Sequence, residues 1–128
     1  MSNAQPPQLA TSTSFAWLFL SFRGRISRGV YWLSFGFIVC VLFVLVSLLV
    51  KTVGEDAASV PMVVLALATM WLEMALLVKR QHDRGLPWFW CLLAWLPVVG
   101  ILWSIAAGVI PGDKGPNAYG DRPNVPPA

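Results

Sequence analysis

The sequence is short of charge: only 12% of its 128 residues are Asp, Glu, Lys or Arg, whereas 57% are hydrophobic. Water-soluble domains typically carry about 25% charged and about 45 to 50% apolar residues. The shortage therefore excludes an ordinary water-soluble domain, and a lipid bilayer is the solvent that suits this composition. The length allows one small domain.

Metal-ligating and nucleophilic residues are also scarce. The two cysteines, Cys40 and Cys91, lie in apolar runs and lack the paired spacing of a metal knuckle or a redox pair. The single histidine, His82, and a few scattered acids supply too few ligands for a zinc site. We therefore predict no metal, no cofactor and no catalytic residue.

The basic residues that are present are grouped. Six of the nine lie in two segments, which we call the flank (residues 23–28) and the island (residues 79–85). They are Arg23, Arg25, Arg28, Lys79, Arg80 and Arg84. Beside apolar spans, such groups mark a membrane surface, and each is worth about 1 kcal/mol against an anionic leaflet. We predict anionic lipid headgroups as the partner and no nucleic acid.

Three apolar runs predict an all-α membrane bundle of three transmembrane helices, at about 30–50, 60–78 and 86–110. Pro97 and Gly100 interrupt the third run, so we expect one span kinked at Pro97. The alternative is a re-entrant hairpin or two short helices. The apolar patch that starts at Phe15 is too short to span and suits a helical turn or two capped by Ser14.

Polar segments bound the predicted membrane domain, residues 15–111. Residues 1–14 are expected to be a disordered tail, and residues 112–128 a turn-rich tail without helix or strand. Flank and island carry three basic residues each, against Lys51 alone in the loop between the first two spans, so the positive-inside rule puts the amino terminus in the cytoplasm. Three spans would leave the second tail outside, whereas a hairpin would return it to the cytoplasm.

Glu73 is the only acid inside a predicted span. An ionised acid there costs about 2.5 to 3.5 kcal/mol, so it needs a partner. We predict an ion pair with a basic side chain of the flank or island, such as Arg28 or Arg80. The alternative is a lipid-facing Glu that is protonated or reaches the interface.

His82 and Asp83 invite a catalytic interpretation, because a His beside a carboxylate is a potential general base. However, adjacent residues on a helix do not face each other, and no nucleophile lies in a recognisable motif. We predict instead that Asp83 caps a helix end and braces Arg80 or Arg84, and that His82 stays near the interface.

A stripe of small residues follows the break in the third run. Gly100, Ser104 and Gly108 recur at every fourth position. On a helix, this spacing lets a neighbouring backbone approach closely, although chance spacing is the alternative.

Several segments, in order, resemble a known family. They are Phe22 to Arg28 followed by Tyr31-Trp32, the island with Trp88, Leu96 to Gly100, and Gly112 to Pro123. Over about residues 15–123 the chain is similar to the domain of unknown function 805 family, small bacterial inner-membrane proteins. The resemblance implies a multi-span inner-membrane protein without an assigned activity. The chain departs from the family pattern at Gln81, usually apolar, and at Arg84, usually smaller.

The sequence leaves three hypotheses of function. The first is a non-enzymatic module that binds anionic headgroups, a partner membrane protein or a second copy through its basic surface. The second is a small transporter or channel subunit in which Glu73 and His82 handle protons or ions. The third and least favoured is a lipid-headgroup enzyme with Arg80, His82 and Asp83 at its site.

Overall fold

The computed structural model describes residues 13–127. Within them lie four α-helices and one 3₁₀ helix: α1 (Phe15–Leu20), α2 (Arg28–Val53), α3 (Glu55–Asp83), the 3₁₀ helix (Trp88–Trp95) and α4 (Val99–Val109). The only extended pairing in the described part is an isolated bridge between Asn117 and Gly120. The all-α prediction is confirmed for these residues.

Helices α2 and α3 form a long apolar hairpin. Their 26 and 29 residues correspond to about 39 and 43 Å at 1.5 Å per residue, more than a hydrocarbon core of about 30 Å. Large apolar side chains point outward, for example Leu33 (77% exposed), Phe43 (74%) and Val60 (72%). Both helices are long and apolar enough to cross a membrane, and their exposed faces need lipid contact rather than water.

A single residue, Gly54, joins the two long helices, where the sequence predicted a loop of nine residues. Its φ of 82° lies in the left-handed region that glycine adopts without steric cost. Helix α3 starts directly after it, because Glu55 and Asp56 in the first turn interact favourably with the helix dipole. Pro61 therefore lies inside α3 and not at its start.

The island is mostly helical and is not a loop. Helix α3 continues five residues beyond the predicted end at Val78, through Asp83. It stops where Gly85, with φ 69°, donates its N–H to the carbonyl of His82 at 3.0 Å. The last turns of α3 thus present the island's side chains in a fixed helical arrangement.

The third apolar run does not form the expected single helix kinked at Pro97. It forms the two short helices of the alternative, an eight-residue 3₁₀ helix and the eleven-residue α4. Each is about 16 Å long, half of what a span needs. Between them Val98 has φ 64°, a rare conformation for a β-branched residue that reverses the chain.

Because the third run turns back, the second tail returns to the island. The Asp113 N–H donates to the carbonyl of Asp83 at 2.7 Å, and Asn124 donates to the carbonyl of Arg25 at 2.8 Å. This is the arrangement that the hairpin alternative predicted, in which the tail returns to the end of the molecule that holds the island. Over residues 112–127, its described part, it forms turns and an isolated bridge with no helix or strand.

Helix α1 packs beside the flank. Ser14 caps it as predicted, accepting from the Trp17 N–H at 3.1 Å. Most of the predicted disordered tail, residues 1–12, lies outside the described residues. Thr13 is described, and its hydroxyl donates to the carbonyl of Asn124 at 2.7 Å.

Candidate functional site

A buried polar cluster occupies the carboxyl end of α3. We use this name for Arg25, Lys79, Arg80, His82 and Asp83, none of which is more than 8% exposed. Charged side chains are almost never so buried unless they are paired. Flank and island, which are far apart in the sequence, therefore share one core.

Asp83 lies at the centre of this cluster. Its Oδ1 accepts from Nε of Arg25 at 3.0 Å, and its Oδ2 accepts from Nη1 of Arg80, one turn earlier on α3. The predicted bracing of Arg80 is present. Arg84, the other predicted partner, contacts Gln81 instead. One carboxylate thus joins the flank to the island.

The remaining donors of Arg25 hold the second tail. Nη1 donates to the carbonyls of Gly115 at 2.7 Å and Gly120 at 3.0 Å, and Nη2 donates to that of Asp113 at 2.9 Å. Hydrogen bonds from a charged donor are stronger than neutral ones. Arg25 therefore fixes the tail onto the end of α3.

Arg80 donates hydrogen bonds to the free carbonyls at the carboxyl end of α4. Its Nε donates to the carbonyl of Ala107 at 2.7 Å, and its Nη2 donates to that of Ile110. The last carbonyls of a helix have no intrahelical partner and carry a partial negative charge. Nη1 also contacts the carbonyl of Ile26 at 3.3 Å, so Arg80 joins α3, α4 and the flank.

Lys79 binds the carbonyls at the end of α1, as Arg80 binds those at the end of α4. Its Nζ donates to the carbonyls of Trp17, Leu18 and Ser21, the first at 2.8 Å. It also lies 5.0 Å from the centre of the Trp17 ring, within range of a cation–π contact. All three ammonium protons are used, so Lys79 is not available to an external ligand.

His82 is enclosed, with only 8% of its surface exposed. Its ring stacks on that of Tyr119, with centroids 3.9 Å apart and planes 3° apart. Nδ1 is 3.3 Å from the carbonyl of Gly24. Asn117 donates to the backbone carbonyl of His82 at 2.9 Å, so the tail covers both ring and backbone.

The contribution of the tail was missed by the residue-by-residue reading of the sequence. The tail residues that contact the cluster include Asp113, Gly115, Asn117, Tyr119, Gly120 and Asn124. Gly112 passes so close that a Cβ there would overlap the carboxylate of Asp83. The only available signal was the tail's place in the family resemblance, since turn-rich composition alone indicates no partner.

The other predicted basic residues lie around the cluster. Arg23 and Arg28 are exposed, although Nη1 of Arg28 donates to the carbonyl of Val109 at 3.2 Å. Arg84 is half-buried, donates to Gln81 at 3.2 Å, and lies 5.7 Å above the Trp103 ring. The two residues that depart from the family pattern, Gln81 and Arg84, thus contact each other.

Glu73 is separate from the cluster, and its predicted ion pair is wrong. Within residues 13–127 the salt bridges are those of Asp83, and Glu73 has none. The proposed partners are engaged elsewhere, Arg80 by Asp83 and Arg28 by a carbonyl. His82 lies nine residues further along α3, about 13.5 Å away along the axis, so the two residues do not share a site.

Instead, Glu73 is half-buried at the wall of a cavity of about 600 Å³. The cavity lies between α2, α3 and the two short helices. Its polar lining includes Tyr31, whose hydroxyl donates to the carbonyl of Ser104 at 3.2 Å. The rest of the lining is mainly apolar and aromatic, so the carboxylate is the only acidic group there.

The stripe of small residues is used inside the molecule. Nε1 of Trp32 donates to the carbonyl of Gly108 at 3.1 Å, and a Cβ at Gly108 would lie 2.5 Å from the Trp32 ring. At Gly100, the backbone of Ala94 approaches so closely that it leaves no room for a Cβ. The close approach predicted for the stripe is therefore made by this chain's own residues.

Metal ligands are not brought together in the part of the chain that the structure describes. No group of three His, Cys, Asp or Glu side chains there could hold a metal ion. Cys91 is buried in the core and Cys40 is exposed on the apolar face of α2. The arrangement offers hydrogen bonds, one cavity carboxylate and aromatic surfaces.

Comparison with known proteins adds a family and two bacterial relatives. The family described as protein of unknown function, DUF805, matches residues 19–121. The chain is 38% identical over 97 residues to "Uncharacterized protein YiiR" of Escherichia coli (strain K12), covering 73% of this chain but only 62% of YiiR. It is 30% identical over 105 residues to "Inner membrane protein YhaI" of the same strain, covering 82% of this chain and 87% of YhaI. No solved structure matches.

Proposed function

This chain belongs to the DUF805 family of proteins of unknown function, and from that premise we propose a non-enzymatic module of the bacterial inner membrane that binds anionic lipid headgroups at the cytoplasmic surface. Two apolar helices long enough to span a bilayer support the membrane location. The similarity to YhaI, which is named an inner membrane protein, supports the choice of membrane.

The observation that carries the proposal is the convergence of flank, island and tail at one end of the α2–α3 hairpin. These three segments hold eight of the nine Lys and Arg residues, and Lys51 alone is at the other end. Basic residues accumulate on the cytoplasmic side of membrane proteins. We therefore orient this end, and with it the amino terminus and the tail, toward the cytoplasm.

The same end has a positive charge excess. Its eight basic residues face three acids, Asp83, Asp113 and Asp121, whereas the opposite turn pairs Lys51 with two acids. Each Lys or Arg near an anionic leaflet contributes about 1 kcal/mol of attraction. The buried cations add to this field but cannot touch a headgroup, so direct contact falls to the exposed Arg23, Arg28, Lys114 and Arg122.

The internal contacts of the cluster support a non-enzymatic role. Arg80, His82 and Asp83 would be the reactive groups of a lipid-headgroup enzyme. Arg80 and Asp83 are bound to each other and to backbone carbonyls or Arg25, and His82 is stacked under Tyr119. These contacts account for the side chains as structural elements.

The proposal is tested by lipid-dependent stability of the purified protein in an uncharged detergent. A ligand that binds only the folded state raises the melting temperature. We expect phosphatidylglycerol to raise it more than phosphatidylcholine does, and the triple variant R23Q/K114Q/R122Q to lose most of the difference. Lys51→Gln, the same change at the opposite end, is the matched control. Equal effects of the two lipids on the unmodified protein would refute the proposal.

A further inference from the structure

Glu73 and its cavity are unused by the headgroup proposal. The volume of about 600 Å³ falls within the range of about 300 to 1,000 Å³ that is typical of small-molecule sites. The cavity lies between the two long helices and the two short ones and is partly open, since lining side chains such as Trp95 (58%) and Ile101 (67%) are exposed. A ligand there would lie against the exposed apolar surface of these helices.

The lining combines one carboxylate with several aromatic rings. The same cavity that Glu73 lines is also lined by Tyr31, Trp32, Phe35 and Trp95. The faces of aromatic rings attract ammonium groups, and aromatic cages recognise quaternary ammonium ligands. An ionised Glu73 would add a full negative charge to such a cage, so the lining suits an organic cation.

The carboxylate is not neutralised from within the described residues. The only salt bridges there are those of Asp83, and the cations of the flank and island donate to carbonyls or to Asp83. An acid inside a membrane span is expensive unless it finds a partner. An external cation would supply the missing countercharge.

The apolar part of the lining defines the rest of the ligand. Leu76, Leu77, Ile101 and Ile105 face the same space. A hydrated inorganic ion would gain nothing from these side chains, and the described residues contain no cluster that could bind a metal ion. A molecule with an apolar body and an ammonium group matches both halves of the lining.

We propose that this cavity binds an amphiphilic organic cation, with its ammonium group against Glu73 and among the aromatic rings, and its apolar body against the aliphatic wall. The proposal uses no residue of the exposed basic surface. It can therefore succeed or fail independently of headgroup binding.

The test measures binding of radiolabelled dodecyltrimethylammonium to the full-length protein in maltoside micelles, with protein-free micelles subtracted. We expect Glu73→Gln to weaken binding by roughly tenfold or more, because a close charge pair in a desolvated site is lost. Glu55→Gln, the same chemical change at the opposite end of α3, should leave binding unchanged. Labelled dodecanol, which lacks the charge, should bind both variants and the unmodified protein equally.

A second variant keeps the test valid if the Glu73 substitution impairs folding. Trp95 lines the cavity and is 58% exposed, so it contributes little to the core. Trp95→Leu should weaken binding of the ammonium probe roughly threefold or more by removing one aromatic face, while dodecanol binding persists. The proposal is overturned if the unmodified protein binds no more probe than empty micelles, or if the Glu73 and Glu55 variants behave alike.

An added arm distinguishes the source of the cation. Phosphatidylethanolamine carries a primary ammonium and is titrated against the bound probe. Displacement would show that the cavity accepts a lipid amine, and its failure would restrict the site to free amphiphilic cations. Both results presuppose Glu73-dependent binding, which the first arm decides.

Discussion

Asp83 and Glu73 lie on the same helix, ten residues and about 15 Å apart along its axis, in very different surroundings. Asp83 accepts from two arginines and is packed beneath a tail that passes within contact distance. Glu73 has no ion pair among the described residues and stands at the wall of a cavity. The first carboxylate organises the fold, and the second is free to meet a ligand.

The difference shows that a cluster of charged residues in a membrane sequence does not by itself mark a ligand-binding site. In the polar cluster the cations outnumber the one acid, and backbone carbonyls accept the hydrogen bonds that the acid does not. Removing charges from water is costly unless every donor and acceptor finds a partner. The charged side chains of the most conspicuous segment are therefore paired within the structure, although the buried amide nitrogen of Gln81 in the same segment has no hydrogen-bond partner.

Asp83→Asn should have the largest effect. It removes the charge that compensates Arg25 and Arg80, and leaving buried charges unpaired typically costs about 3 to 5 kcal/mol. Thermal unfolding in detergent measures the loss. Asp121→Asn, an exposed acid of the tail, is the control and should change little. Equal melting temperatures for the two variants would contradict the central role of Asp83.

Lys79→Met should come next. The substitution keeps an unbranched side chain but removes the donor to three carbonyls at the end of α1, where hydrogen bonds from a charged group are worth about 1.5 to 3 kcal/mol each at most. We expect faster amide hydrogen exchange in α1 as well as a lower melting temperature. Lys114→Met, at an exposed position, should leave both unchanged.

Gly112→Ala tests whether the tail packs on the island. A Cβ at position 112 would overlap the Asp83 carboxylate, whereas one at Gly115 would meet nothing within 4 Å. Forcing an extra carbon into a packed site costs about 1 to 3 kcal/mol. The first variant should therefore melt at a lower temperature and Gly115→Ala should not. Similar melting curves for both would mean that the tail does not pack in this way.

Glu73→Gln should have the smallest effect on stability, in contrast to the same neutralisation at Asp83. No ion pair is lost and the desolvation of a charge is avoided, so the free energy of unfolding should change by less than about 0.5 kcal/mol or rise slightly. Chemical denaturation in detergent measures this. A loss above about 1 kcal/mol would reveal a hidden partner for Glu73.

The sequence predicted the elements that depend on local pattern. The apolar runs predicted α2 and most of α3, and Ser14 predicted the start of α1. Pro97 correctly marked an interruption, but composition could not decide between a kink and a reversal. The chain reverses at Val98, where φ is 64°. A valine side chain does not predict this backbone conformation.

The polar cluster was harder to predict because most of its partners are backbone carbonyls. Every residue has one, so no sequence pattern distinguishes the carbonyl of Ala107 or Gly115 as the acceptor for an arginine. The basic residues were identified, but their burial was not. The island resembled a solvated loop because its polar residues are usually exposed, and tertiary packing reversed that preference.

The central claim is that flank, island and tail meet at one face of the membrane, and a carboxy-terminal topology reporter tests it most directly. Fusions to a fluorescent protein that folds only in the cytoplasm and to a phosphatase active only outside it give opposite signals. We predict a fluorescent first fusion and an inactive second one. An active phosphatase with no fluorescence would place the tail on the far side and contradict the structure's closed polar end.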